Sequence, residues 1–107
     1  MSADKIRALN DAFRTSMTGG QVFLTAGVDA LPSDVKAMVI RRVVTFDKFR
    51  PDNDPHDEHD FGAFELARQK FFWKIDYYDA AMEFGSDDPA DPTKTTRVLT
   101  IMLASEY

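Results

Sequence analysis

The chain has 107 residues, 44% hydrophobic and 12% aromatic, with a net charge of −5, which places it among globular proteins and fits one domain, residues 1–107, burying roughly 60–70% of its unfolded surface. It has no cysteine, which excludes disulfides, thiolate metal sites, iron–sulfur ligation and a cysteine nucleophile, and suits a reducing cytoplasm. No window approaches the roughly 20 apolar residues of a membrane span and MSADKIRALNDAF lacks a signal-peptide core, so a cytoplasmic monomer or small homo-oligomer with no membrane contact is expected.

The charge is uneven. Residues 1–46 carry +2, residues 47–91 carry −8 and residues 92–107 carry +1. So acidic a middle repels phosphate backbones, so direct nucleic-acid binding is not expected, whereas a protein with a basic or mixed surface is attracted.

The first predicted element is an amphipathic helix over residues 3–16, with Ile6, Leu9, Phe13 and Met17 at helical spacing and Asp4 in the first turn. Thr18, Gly19 and Gly20 end it, and QVFLTA reads as a short strand. A loop through Gly27 then leads to Pro32, which suits the first position of a helix over 33–46 whose Val35, Met38, Val39, Val43 and Phe46 form one apolar stripe.

Residues 47–60 hold Pro51, Pro55 and a run of carboxylates, and read as an exposed loop. DFGAFEL and KFFWKIDYY then form a hairpin, in which Phe71, Trp73, Ile75 and Tyr77 share the core face and Phe72, Lys74, Asp76 and Tyr78 the other. AMEFG, residues 81–85, is a candidate third hairpin strand. Asp91 followed by Pro92 is a helix-start signal, and on that basis residues 93–105 are predicted as a helix, although Val98, Leu99, Ile101, Met102 and Leu103 suit a core strand equally well. The order α-β-α-β-β-(β)-α predicts an α+β fold: a small antiparallel sheet of about three to four strands with three helices mainly on one face.

The stretch NDPHDEHDFGAFE concentrates the chemistry. His56 and His59 with Glu58 or Asp60 supply the N and O donors of a zinc or manganese site, but Pro55 favours an irregular loop in which that spacing fixes no geometry, and the pattern is not HExxH. Asp52, Asp54 and Asp57 lack the glycine and glutamate spacing of a calcium loop. No metal or other cofactor is therefore expected. General acid–base work requires His59, Asp60, Glu65 and Asp76 to meet in a cleft, and Lys74 with Asp76 is the spacing of a surface ion pair. TGGQVFLT runs from helix into strand with no following lysine, unlike a phosphate loop, and KFFWKIDYY lacks the glycines of RNA-binding sheets. The favoured reading is that His59 and Asp60 bind loop amides and fix the entry into the hairpin, with Gly62 marking a bulge or a close backbone approach.

IRALNDAFR, TGG before a strand, NDP before EHDFGAFE, FFWKIDYYD and DPADPTKTTRVLTIMLASEY together resemble a family of short bacterial proteins of unknown function, often found with plasmid and other mobile-element genes. His56 departs from that pattern. The resemblance implies no activity, catalytic residue or cofactor. By analogy with other small acidic proteins of mobile elements it implies a partner or inhibitor of other machinery. The expectation is thus a non-catalytic interaction module that uses Asp54, Glu58, His59 and Asp60 of the loop with Lys74, Asp76 and Tyr78 of the hairpin. The alternative is a metal-assisted hydrolase centred on His59 and neighbouring carboxylates.

Overall fold

A computed structural model describes residues 2–107. Helix α1 spans Ser2–Ser16, strand β1 Gln21–Leu24, the single turn α2 Ala26–Asp29 and helix α3 Ser33–Val44; strands β2, Phe61–Leu66, β3, Gln69–Tyr78, and β4, Thr96–Leu103, follow, and a 3-10 turn, Ala104–Glu106, ends the fold. The sheet order is β1-β4-β3-β2. The α+β class and four strands agree with the sequence. The sheet is mixed rather than wholly antiparallel, because β1 runs parallel to β4, pairing Gln21 with Val98 through Leu24 with Ile101.

The predicted helix over 93–105 is instead the strand β4. It lies inside the sheet between β1 and β3, and side chains on both of its sides are buried, Arg97, Leu99 and Ile101 toward the core and Val98 and Met102 away from it; a strand buried on both sides reads as a continuous apolar run. The helix-start signal serves a turn, in which the Asp91 carboxylate accepts the Thr93 amide at 2.9 Å and the Thr93 hydroxyl at 2.7 Å, a local bond that competes with helix initiation. The predicted strand at 81–85 is also a turn, since only Gly85 bridges to Tyr78 and Met82 adopts a left-handed φ of 60°.

The β2–β3 hairpin forms as predicted. Leu66 pairs with Gln69 across Ala67 and Arg68, both left-handed with φ of 52° and 64°, the two-residue turn whose twist matches the strands. The core collects Phe13, Val28, Val39, Val43, Phe46, Phe64, Phe71, Trp73, Ile75, Leu99 and Ile101. All five of those from β3 and β4 occupy odd-numbered positions, so the core helices cover one sheet face and leave Phe72, Lys74, Asp76 and Tyr78 on the other.

Gly62 is a close approach, not a bulge. It pairs in regular register with Trp73, and a Cβ there would stand 2.3 Å from the indole Nε1 and 2.9 Å from Phe46 Cζ. The indole therefore packs directly on the bare backbone of an edge strand. Gly62→Ala is expected to lower stability by about 1–3 kcal/mol through overpacking, read as a shift in the denaturation midpoint. Gly85→Ala, whose Cβ would meet nothing closer than 3.8 Å, should leave the midpoint nearly unchanged.

Candidate functional site

The side of α1 that faces the protein is half polar. Ile6, Asn10, Phe13 and Arg14 are its buried residues, so the apolar stripe alone does not seat the helix and each polar group needs a partner. Those partners lie mainly at the end of α3, on the sheet and in the loop that follows α3. The Arg14 guanidinium donates to the carbonyls of Val43 at 2.8 Å and Val44 at 3.2 Å, neutralising the electronegative end of α3, and sits over Phe49 and Trp73 at 5.4 and 5.2 Å.

Asn10 is the hub. Its amide nitrogen donates to the Glu58 carbonyl at 2.9 Å and the Tyr77 hydroxyl at 2.8 Å, while its oxygen accepts the Arg97 Nε proton at 2.7 Å. Arg97 is 4% exposed. Its guanidinium also donates to the Pro89 carbonyl and lies 5.3 Å from the centre of the Tyr77 ring; among the described residues it has no carboxylate partner. Burial lowers its pKa from the ordinary arginine value, with the Tyr77 and Glu58 charges opposing. A guanidinium nonetheless stays charged, so the neutral Asn10 and Pro89 acceptors and the Tyr77 ring hold it in place with the more distant Glu58 charge in support.

The Tyr77 hydroxyl faces Glu58 Oε1 at 3.1 Å and Asp60 Oδ2 at 3.3 Å, with one proton to give to either. Burial first, and then the two carboxylates, push the phenol far above its ordinary pKa, while the bond from Asn10 works the other way. Asp60 is raised above the ordinary carboxylate value chiefly by burial, with the Asp54 charge adding to it, while the Tyr77 bond opposes.

The acidic loop is anchored from within. Asp54 is 5% exposed, and its carboxylate accepts the amides of Glu58 and His59 at 3.1 Å each. The sequence assigns that anchoring to His59 and Asp60; Asp54 performs it, and so lies inside the loop and not on its surface. The His59 side chain instead reaches α1, with Nδ1 at 2.9 and 3.1 Å from the Asp11 carboxylate. Its ring stacks on Phe49 at 3.7 Å and 3°. The backbone at His59 and Asp57 is left-handed, with φ of 55° and 56°, and Arg7 binds Asp57 at 2.7 Å from outside. His56 is exposed.

The predicted site residues thus form two groups. Asp54, Glu58, His59 and Asp60 converge on α1 and Tyr77. Lys74 and Asp76 pair at 2.9 Å on the uncovered face with Tyr78, and the Asp76 bond chiefly raises the Lys74 pKa. The two groups touch where the Asp60 carbonyl accepts the Ile75 amide at 2.8 Å. Arg7, Asn10, Asp11, Arg14, Phe49, Tyr77 and Arg97 were not predicted. A signal existed: Arg7, Asn10, Asp11 and Arg14 fall at 3-1-3 spacing, one polar stripe on one helix.

Asp54, Asp57 and His59 are the described residues that could hold a cation. Surface hollows lie elsewhere: one of about 560 Å³ is lined by Ser2, Lys5, Asp88, Ala90, Asp91 and Pro92, and another of about 280 Å³ includes Phe13, Pro92 and Arg97. His59 lines neither, so the substrate cleft required by the hydrolase alternative is not at these positions.

Asn10→Ala removes an acceptor from a buried guanidinium and is expected to cost about 2–4 kcal/mol in denaturant unfolding, whereas Arg7→Ala, which breaks exposed pairs, should cost about 0–1 kcal/mol. Asp60 sets a pH dependence. A carboxyl raised in the folded state binds its proton more tightly there, so its contribution is present below the unfolded pKa and is lost as pH rises through the folded one. In Asp60→Asn that loss is absent, so the stability of the variant relative to the parent should grow as pH rises above about 4, measured by unfolding midpoints across the range.

No curated protein and no solved structure matches the chain. A family does match: residues 24–106, from the end of β1 into the terminal 3-10 turn, fit the family described as "Protein of unknown function (DUF3768)". That span holds the whole loop, the hairpin and β4, and the chain belongs to the DUF3768 family of proteins of unknown function.

Proposed function

We propose that the protein is a non-catalytic interaction module whose contact surface is the sheet face that the core helices leave open, bordered by the acidic loop. The observation that carries this reading is the composition of that face. Lys74 and Asp76 form a half-exposed ion pair there, Phe72 and Phe61 pack together at 5.3 Å, and Tyr107 lies 5.3 Å from Phe72 and 6.2 Å from Phe61 while 74% exposed. Phe23, opposite Thr100 in the register, is 50% exposed. Aromatic side chains around a few charges are the composition of an interface centre, since rigid rings supply contact area at low entropic cost.

The loop contributes less than its charge suggests. The carboxylates of Asp54, Glu58 and Asp60 turn toward backbone amides and Tyr77, which leaves Asp52, Asp57 and His56 exposed along the border. A mixed surface, apolar with scattered charges, therefore fits better than a uniformly basic one. A cytoplasmic setting belongs to the same proposal and is supported by the cysteine-free composition, while a role as accessory or inhibitor protein of a bacterial mobile element rests on the resemblance of the sequence motifs alone.

A photo-crosslinking residue tests the surface. Placed at Tyr78 it should yield a discrete adduct in native lysate that Lys74→Glu weakens, while the same group at Met38, 48% exposed on α3, should yield none. Equal labelling from both positions, or none from Tyr78, removes the reading.

A further inference from the structure

We propose that Asp54, Asp57 and His59 form a binding site for a divalent transition-metal cation, with one imidazole nitrogen and two carboxylate oxygens as ligands. His59 and Asp57 each have one polar atom committed and one left over, and Asp54 has one oxygen committed and a second that accepts the His59 amide at 3.3 Å. His59 Nδ1 is held by Asp11 at 2.9 Å, Asp57 Oδ2 by Arg7 at 2.7 Å, and Asp54 Oδ1 by two amides at 3.1 Å. The leftover atoms face one another, with His59 Nε2 at 3.8 Å from both Asp54 Oδ2 and Asp57 Oδ1, and the potential ligand atoms of the three residues lie within 4.8 Å of one another. A separation of 3.8 Å is too long for a hydrogen bond. It suits ligands of a shared ion: a cation equidistant from three such atoms stands about 2.1–2.5 Å from each, near the usual zinc–nitrogen and zinc–oxygen lengths.

Two further observations point to a ligand. The first is charge. Asp11 pairs with Arg14 and Asp57 with Arg7, but Asp54, with a side chain only 3% exposed, has no lysine or arginine partner among the described residues. A carboxylate this deeply buried normally has a counter-charge or a metal. Its Oδ2, aimed at the shared point, has only a long 3.3 Å contact from the His59 amide. The second is orientation. Metal-bound histidines characteristically donate their other ring proton to a carboxylate, which fixes tautomer and ring plane, and Asp11 stands in that relation to His59 from a separate element while Phe49 fixes the ring by stacking. The mixed N/O set and three protein ligands favour zinc or manganese over magnesium or calcium, which prefer oxygen alone.

Titration calorimetry of the full chain, carrying no affinity histidines, with Zn²⁺, Mn²⁺ and Ca²⁺ tests the site. One equivalent of Zn²⁺ should bind, Mn²⁺ more weakly and Ca²⁺ least. Asp57→Asn, at a position whose side chain is 71% exposed and so safe for folding, should weaken Zn²⁺ at least tenfold, and Asp11→Asn by about 10- to 100-fold as an orienting partner, while His56→Gln should change nothing. Absence of Zn²⁺ binding at millimolar metal, binding indifferent to Asp57→Asn, or loss that follows His56 instead overturns the proposal. None of these results depends on the sheet-face contact, which the crosslinking experiment addresses separately.

Discussion

One buried charge organises this fold. Arg97 projects from the inner strand β4 and has no carboxylate hydrogen-bond partner among the described residues, and its positive charge is tolerated because Asn10, a carbonyl and the face of Tyr77 surround it. Asn10 can serve there only if α1 lies across the sheet at one height and rotation. The same amide side chain then has its nitrogen left for Tyr77 and the Glu58 carbonyl, so satisfying one cation fixes the helix, the hairpin and the loop together. Apolar packing would let α1 slide. A directional polar joint does not.

From that joint the loop acquires its shape. Once Asn10 holds the Glu58 carbonyl and Asp11 holds the His59 ring, residues 57–59 must alternate through left-handed backbone, and Asp54 gathers the amides that this path exposes. An acidic loop that would otherwise be solvated and mobile is thereby drawn against α1, while the opposite sheet face keeps its aromatic side chains and the Lys74–Asp76 pair in contact with solvent. Any metal bound by the loop and any protein bound by the sheet face would lie on opposite sides of β3, whose Trp73 and Tyr77 face the loop's surroundings and whose Lys74 and Tyr78 face outward.

Much of this was legible in the sequence. The two long helices and the hairpin with its alternating faces follow from periodicity and turn chemistry, and Gly62 was recognisable as a bulge or a place of close approach, whereas the anchoring of the loop amides expected of His59 and Asp60 falls to Asp54. The strand β4 was not, since five apolar residues in six carry no period and the Asp91-Pro92 signal belongs equally to a turn. The partners of His59 were hidden for a different reason. Asp11 is 48 residues away, and a polar residue on an amphipathic helix is ordinarily solvent-facing. Asn10 and Arg14 are buried because residues near the middle and the far end of the chain supply complements, which local sequence does not record.

The parallel pairing of β1 with β4 has a consequence in time. Residues 21–24 must wait for residues 98–101 before they have a strand to join, and Asn10 must wait for Arg97. Contacts this distant in sequence slow folding, because chain closure must precede any gain. During synthesis the N-terminal helix therefore emerges early with a half-polar face that nothing yet matches, and the hairpin can form before it is covered. Strand β4, made after the hairpin, completes both, so assembly of the sheet and docking of α1 should coincide in a single step that waits for it.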